Sequence, residues 1–287
     1  MPESNWQARP ASSKPRSFRG SAVRWGGFAV LTACAGFVSY RLIQLDPRQL
    51  VDQASWRLGA AMVAAPVLFA ASDKLLASAW SVLAGADGLV ASRRTDAIYG
   101  RGVLAKYLPG SVFQYASRQI EGASAGLPHG ALAKASVLEI ALHVPASLTA
   151  AGIALALAQV PVLAVLASLG ASFVAAKTRN KVLRAGALQF GAFTCFAIAA
   201  ATIGTALLPG SAALGVFSAL FLLSWLAGFL VPVAPGGLGV REAALLALAG
   251  SQFPAEPLLA CVLALRVASI LGDALFGAIT LWRASRT

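Results

Sequence analysis

Two segments of the chain place a proline-glycine break in apolar sequence and follow it shortly with an arginine and an acid. Proline removes a backbone donor, and glycine permits the turn that follows. A helix that begins after such a break presents free N–H groups and the positive end of its dipole, which suits an anion. The residues expected to bind a ligand are Lys106, Tyr107, Pro109, Gly110 and Arg118 in the first segment, and Pro235, Gly236, Gly237, Gly239, Arg241 and Glu242 in the second.

Two pairs of ionisable residues interrupt other apolar stretches. Glu139 and His143 are four residues apart, and Arg266 and Asp273 are seven apart, so each pair shares a helix face. Ionisable residues at membrane depth are costly and usually functional. Glu139 and Arg266 therefore join the expected ligand-binding set, with Arg266 facing the cavity and pairing with Glu242 or Glu139. A purely structural hydrogen-bonded or ionic role stays open for both pairs.

The sequence lacks the motifs of the common enzyme classes. It contains no G-x-S-x-G, no H-E-x-x-H and no P-loop. Its three cysteines, Cys34, Cys195 and Cys261, lie in apolar stretches without the spacing of a zinc site. We expect no catalytic residue, no disulfide, no metal site and no cofactor.

Composition then defines the elements that must position these residues. The chain is 58% hydrophobic and only 12% charged, with a mean hydropathy of +0.73, whereas a soluble domain is about a quarter charged. Its 287 residues have room for about seven spans of about 20 residues each. We expect an all-α, polytopic integral membrane protein with about seven transmembrane helices and additional broken or re-entrant half-helices.

Hydropathy also predicts where the helices run. The second span is expected to be interrupted at Asp73 and Lys74, which would mark an interface and leave 75–83 on the membrane surface. Residues 238–249 would form a half-helix, because a dozen residues cover about 18 Å of the roughly 30 Å hydrocarbon core. The spans are predicted at about 25–43, 57–83, 131–158, 161–176, 185–208, 212–231 and 258–282.

The charge distribution predicts an orientation. The net charge of +12 is expected to reflect topology and anionic lipid headgroups rather than nucleic acid. Lysine and arginine concentrate in the N-terminal tail, in 84–107, in 177–184 and at the C-terminus, whereas the loops near 159, 209 and 254 have none. We expect both termini in the cytoplasm, with the sixth span and the half-helix forming a V.

Several of these motifs together resemble a known family. They are Tyr107-Leu-Pro-Gly-Ser-Val-Phe-Gln-Tyr-Ala-Ser-Arg118, Glu139, Val233-Ala-Pro-Gly-Gly-Leu-Gly-Val-Arg-Glu242 and Leu265-Arg266. Over about residues 25–283 the chain is similar to the transmembrane region of lysylphosphatidylglycerol synthases, the flippase-like family. The resemblance implies a multi-pass protein of the bacterial inner membrane, without the soluble aminoacyl-transfer domain. Residues 1–22 would be a disordered basic cytoplasmic tail, and residues 23–287 a single flippase-like domain.

Three hypotheses for function follow. In the first, Arg118, Arg241 and Arg266 receive the phosphate of a translocated phospholipid or lipid-linked intermediate, and Glu139 and Glu242 balance their charge. In the second, the protein is a non-transporting accessory that scaffolds a membrane glycosyltransferase or polysaccharide pathway. A homo-oligomer is also compatible with the sequence. In the third, Glu139 and His143 perform acid–base chemistry at a membrane-embedded site.

Overall fold

A computed structural model describes residues 55–107, 113–156, 177–209, 214–231 and 234–286, with isolated residues at 166, 168, 170, 172 and 173. These residues form eight α-helices and one 3₁₀ turn. The helices are α1 (Trp56–Ala84), α2 (Ser92–Ala105), α3 (Phe113–Ser124), α4 (His129–Ala156), α5 (Lys181–Leu207), α6 (Leu214–Leu230), α7 (Val240–Ala249) and α8 (Ala255–Ala284).

Local sequence signals fix several helix ends. The Ser55 hydroxyl accepts a hydrogen bond from the Leu58 N–H at 3.3 Å and caps the start of α1. At the other end, Gly85 adopts a φ of 67°, and the N–H of Ala86 reaches back to the Ser81 carbonyl at 3.0 Å. This left-handed glycine ends the helix because it satisfies the last carbonyls. Asn180 caps α5 in the same way as Ser55 caps α1, by accepting from the N–H groups of Val182 and Leu183.

Four of the described helices, α1, α4, α5 and α8, are long and apolar enough to cross a membrane. Their bounds agree to within a few residues with the predicted spans 57–83, 131–158, 185–208 and 258–282. Helix α6 is apolar but shorter, with 17 residues. The predicted tail and the first span lie outside the described residues, as does most of the span at 161–176. The expected total of about seven spans therefore stays a prediction.

The predicted interruption of the second span is wrong. Helix α1 runs continuously for 29 residues, and the side chain of Asp73 is buried rather than interfacial. Lys74 points elsewhere, to an ion pair with Asp96 near the protein surface. The carboxyl of Asp73 faces that of Asp273 on α8.

The half-helix is confirmed. Helix α7 has ten residues, which cover about 15 Å at 1.5 Å per residue. The preceding turn contains three glycines with positive φ, namely Gly236, Gly237 and Gly239, and this conformation is rarely adopted by other residues. Helices α6 and α7 pack against each other across this turn, as the proposed V requires. The side of the membrane that each arm reaches stays a prediction.

The long helices pack against one another around these breaks. Helix α1 makes its most extensive contact with α5, and α8 packs against both α1 and α2. Helix α4 lies against α5 and α6. The main apolar core contains fully buried aromatic residues such as Phe193 and Phe217. A second core, around Trp80 and Tyr99, joins α1 to α2.

Candidate functional site

The described flanks of both chain breaks meet at one cavity, which we call the central cavity. It offers about 90 Å³ to water-sized molecules. A methyl group on Gly236, in the second break, would lie 3.5 Å from Cε1 of Tyr107, beside the first. The predicted ligand-binding residues on its wall are Lys106, Tyr107, Arg118, Glu139, Gly236, Gly237 and Arg241.

Lys106 and Arg118 on this wall each form an ion pair with an acid, whereas Arg241 does not do so among the described residues. Its guanidinium lies 5.0 Å from the ring centroid of Trp225, and its buried Nε atom has no hydrogen-bond partner among the described residues. No carboxylate in the described chain forms an ion pair with it within 4.0 Å. The guanidinium of Arg241 is thus buried without an ion-pair partner among the described residues.

Arg266, which lies on α8, contacts the second break. Its Nη1 donates to the Gly236 carbonyl at 3.2 Å, and its Nε lies 3.5 Å from Oε1 of Glu242. The pairing with Glu242, one of the two predicted, is confirmed. Nε and Nη2 of Arg266 and Oε2 of Glu242 are nevertheless buried without a hydrogen bond to any described residue. These two residues and Arg241 line a smaller adjoining cavity of about 30 Å³.

Asp273, also on α8, contacts the residues that precede the first break. Its Oδ2 lies 2.8 Å from Nζ of Lys106 and accepts a hydrogen bond from the hydroxyl of Tyr107. Burial and the Asp273 carboxylate raise the pKa of Tyr107, so the hydroxyl remains a donor. The seven-residue spacing of Arg266 and Asp273 thus places one α8 residue on each break.

Arg118 and Glu139 form a closed ion pair between α3 and α4. Nη1 of Arg118 lies 2.8 and 3.0 Å from the two carboxylate oxygens of Glu139, and the hydroxyl of Tyr99 donates to the same carboxylate at 2.8 Å. Both side chains are buried. Burial acts to lower the pKa of Arg118, but Glu139, Tyr99 and Tyr115 together outweigh it and raise the pKa. Since the partners satisfy each other, this pair is less available to a ligand than Arg241.

His143 lines the central cavity without joining its side chain to that of Glu139. Its Nδ1 lies 2.7 Å from the backbone carbonyl of Glu139, whereas the Glu139 carboxylate is held by Arg118 and Tyr99. The imidazole stacks on Phe229 with centroids 4.9 Å apart. The two residues share a helix face as predicted, but their arrangement does not form a proton-transfer pair.

The remaining predicted residues take supporting or undescribed positions. Pro109 and Gly110 lie outside the described residues. Pro235 opens the 3₁₀ turn. Gly239 precedes α7 without a side-chain cap, so the first N–H groups of that helix lack the usual capping acceptor.

The central-cavity residues that sequence reasoning missed include Asp73, Tyr99 and Trp225. For Asp73 the signal was available, because an acid deep in an apolar helix is a functional candidate by default. The sequence carried no comparable signal for Tyr99 and Trp225. Aromatic residues are common both in cores and at membrane interfaces, and only the fold distinguishes the two.

Comparison with known proteins adds no assignment. The chain matches no protein-family model, and no curated protein matches it at a significant level.

Proposed function

We propose that the protein binds the phosphate of an anionic phospholipid or lipid-linked intermediate at the second break, and that it translocates this lipid across the membrane. The observation that carries the proposal is the pair of arginines there. Arg241 and Arg266 present buried N–H groups that have no acceptor among the described residues. Phosphate oxygens are strong acceptors, and guanidinium groups bind them well.

The geometry of the turn supports the same ligand. The positive end of the α7 dipole and its uncapped N–H groups face the turn before the helix, and Arg241 is the second residue of α7. Gly236 and Gly237 line the central cavity, and the absence of a side chain at Gly237 accommodates Arg241 against the turn. An anion here would supply the negative charge that Arg241 lacks.

The size of the central cavity limits what enters it. Its volume of about 90 Å³ is well below the roughly 300–1,000 Å³ of pockets that enclose a drug-sized molecule. A phosphate headgroup is therefore the part of a lipid that this site would hold, with the acyl chains outside. Such binding at the break of a discontinuous helix is a common arrangement in transporters. The resemblance to the flippase-like family supports the same role, in a bacterial inner membrane.

Reconstitution tests the proposal. The protein would be placed in vesicles with fluorescent phosphatidylglycerol, and transport followed by reduction of the dye in the outer leaflet. We expect wild type to move the lipid. Arg241→Ala should bind it about 10–100-fold more weakly, because a hydrogen bond to a charged group contributes about 1.5–3 kcal/mol. The matched control is Arg184→Ala, which removes an exposed arginine paired with Asp87 and should change neither binding nor transport.

The possible outcomes separate binding from transport. Equal binding of phosphatidylglycerol by wild type and Arg241→Ala would refute the headgroup site. Arg241-dependent binding without movement of phosphatidylglycerol or a polyprenyl-phosphate lipid would refute translocation and favour the accessory role, with a membrane glycosyltransferase as partner.

The orientation is tested separately. We propose that both termini are cytoplasmic and that α6 and α7 form a V, so that the loop after α7 faces outside. Gln252 is exposed in that loop. In a chain with its native cysteines replaced, Gln252→Cys should react with a membrane-impermeant maleimide added to intact cells. Labelling only after the cells are opened would rule out the V.

A further inference from the structure

Two carboxyl groups face each other across the interface of α1 and α8. Asp73 is the eighteenth of 29 residues in α1, and Asp273 the nineteenth of 30 in α8. Their exposed fractions are 4% and 5%, and the carboxyl of Asp73 lies within hydrogen-bonding reach of that of Asp273. Both residues line the central cavity.

The backbone forces this approach. At Gly272, next to Asp273, an added methyl group would lie 2.8 Å from the Pro66 carbonyl oxygen and would also meet Phe69. The two helices therefore touch through backbone at this level. Asp273 follows Gly272 directly, and Asp73 lies one helical turn beyond Phe69 and Ala70, so both acids lie close to this contact.

The charges around the pair do not balance if both groups are ionised. Lys106 is the one cation that forms an ion pair with either acid among the described residues, at 2.8 Å from Asp273. Tyr99 on α2 and Tyr107, which follows the end of α2, are neutral neighbours of the two acids. Arg241 on α7 acts on Asp273 only at longer range.

The other packed elements do not supply the missing charge. Arg118 on α3 and Glu139 on α4 neutralise each other, and α5 carries charged residues only at its start, Lys181 and Arg184. Two acids thus face one ammonium group in a buried site. Like charges this close cannot both ionise without a large cost, and a proton removes that cost.

The hydrogen bonding of the two carboxyl groups also indicates a bound proton. Two carboxylates cannot hydrogen-bond to each other, and Oδ2 of Asp73 is buried with no partner among the described residues. A single proton turns one carboxyl group into a donor to the other. Shared protons of this kind occur wherever two carboxyl groups are held in contact in a buried site.

We propose that Asp73 and Asp273 together bind one proton at membrane depth, in the wall of the central cavity. Release of this proton adds one negative charge beside Lys106 and Tyr107, the residues that tie the first break to α8. The pair is therefore a site through which proton concentration acts on the cavity. It stands on its own contacts and does not depend on the proposed lipid ligand.

Infrared spectroscopy of the purified full chain tests this site directly. In a detergent without ester groups, wild type at neutral pH should show the carbonyl band of a protonated carboxylic acid, which shifts in D₂O. Labelling aspartate with ¹³C at the side-chain carboxyl should move the band in wild type itself. Absence of the band, or a band that the aspartate label leaves unmoved, would overturn the proposal without any variant.

Variants then assign the band to the pair. Asp73→Asn, which resembles the protonated form, should abolish it because Asp273 keeps its ion pair with Lys106, and Asp273→Asn should abolish the band or shift its frequency. Asp87→Asn, at a side chain that is 50% exposed, should leave it intact. A band that survives both substitutions in the pair belongs elsewhere and refutes the assignment.

A monovalent metal ion is the competing ligand. Wild type would be titrated with sodium chloride against choline chloride at neutral pH. The proton proposal expects no sodium-dependent change in the band or in thermal stability. Sodium binding that Asp73→Asn removes, in a wild type without the acid band, would assign the pair to a metal cation and overturn the proposal.

Discussion

Arg266 and Asp273 stand two helical turns apart on α8, and each holds one of the two chain breaks. Arg266 donates to the Gly236 carbonyl in the second break at 3.2 Å, and Asp273 pairs with Lys106 at the first. Seven residues of α-helix span about 10.5 Å. Helix α8 thus sets the separation of the breaks, and any displacement of α8 moves both.

The first prediction concerns the second break. Arg266→Lys keeps the charge but loses the guanidinium geometry that reaches both Gly236 and Glu242. We expect the turn at 234–239 to loosen, so that its amides exchange with D₂O about ten-fold faster, as loss of roughly 1–1.5 kcal/mol of hydrogen bonding predicts. Hydrogen exchange followed by mass spectrometry measures this. Amides of α4, which Arg266 does not touch, serve as the internal reference, and unchanged exchange at 234–239 would contradict the role of Arg266.

The second prediction concerns the closed pair of Arg118 and Glu139. Arg118→Met leaves the Glu139 carboxylate buried with only the Tyr99 donor. Removing one member of a buried pair costs about 3–5 kcal/mol, so we expect a large fall in the denaturation midpoint in detergent. The double variant with Glu139→Leu should recover much of this loss, because no buried charge is left unpaired.

The control for this pair lies on the surface. Arg101 and Glu121 also form an ion pair, with side chains that are 52% and 25% exposed. Exposed pairs contribute about 0–1 kcal/mol, so Arg101→Met should hardly change the midpoint. Equal effects of Arg118→Met and Arg101→Met would show that burial does not decide the energetics of these pairs.

Much of the architecture was predictable because apolar length alone determines where a chain can cross a membrane. The boundaries of α1, α4, α5 and α8 follow from it, and the half-helix α7 follows from the glycine and proline residues before it. Asp73 shows where this reasoning fails. Hydropathy treats an acid as an interruption, but a continuous helix can keep it buried when other helices supply polar partners.

Seven of the thirteen predicted site residues line the central cavity, but the sequence did not distinguish their roles. Broken helices and buried charges both require a polar interior, so they converge on one cavity. Sequence spacing could not show that Arg118 is neutralised by Glu139 while Arg241 is left without an ion pair. That difference depends on side-chain contacts between consecutive helices, α3 with α4 and α6 with α7, and hydropathy and residue spacing do not define these contacts.

The third prediction separates backbone strain from the space that Arg241 needs. Gly237 has a φ of 71°, and a methyl group there would lie 3.0 Å from Cδ of Arg241, closer than ordinary contact. Gly237→Ala should displace Arg241 and weaken binding of anionic lipid. Gly88→Ala carries the same backbone strain, since its φ is 79°, but a methyl group there meets nothing within 4 Å.

Both glycine variants should lose about 1–2 kcal/mol of stability from the left-handed conformation, and only Gly237→Ala should lose lipid binding. Binding would be measured with fluorescent phosphatidylglycerol in nanodiscs, alongside the denaturation midpoint. If Gly88→Ala weakened binding as much as Gly237→Ala, the loss would reflect general destabilisation.

The last prediction concerns the contact between α1 and α8 that brings Asp73 beside Asp273. Gly272→Ala should destabilise the protein by about 1–3 kcal/mol, because the added methyl group meets the backbone of α1 at the Pro66 carbonyl, which cannot rotate away as a side chain would. Gly152→Ala on α4 is the matched control, since nothing lies within 4 Å of its added methyl group. There the better helix propensity of alanine should raise stability by about 0.5–1 kcal/mol. Denaturation midpoints that move in opposite directions would confirm the backbone contact, and a stabilising Gly272→Ala would refute it.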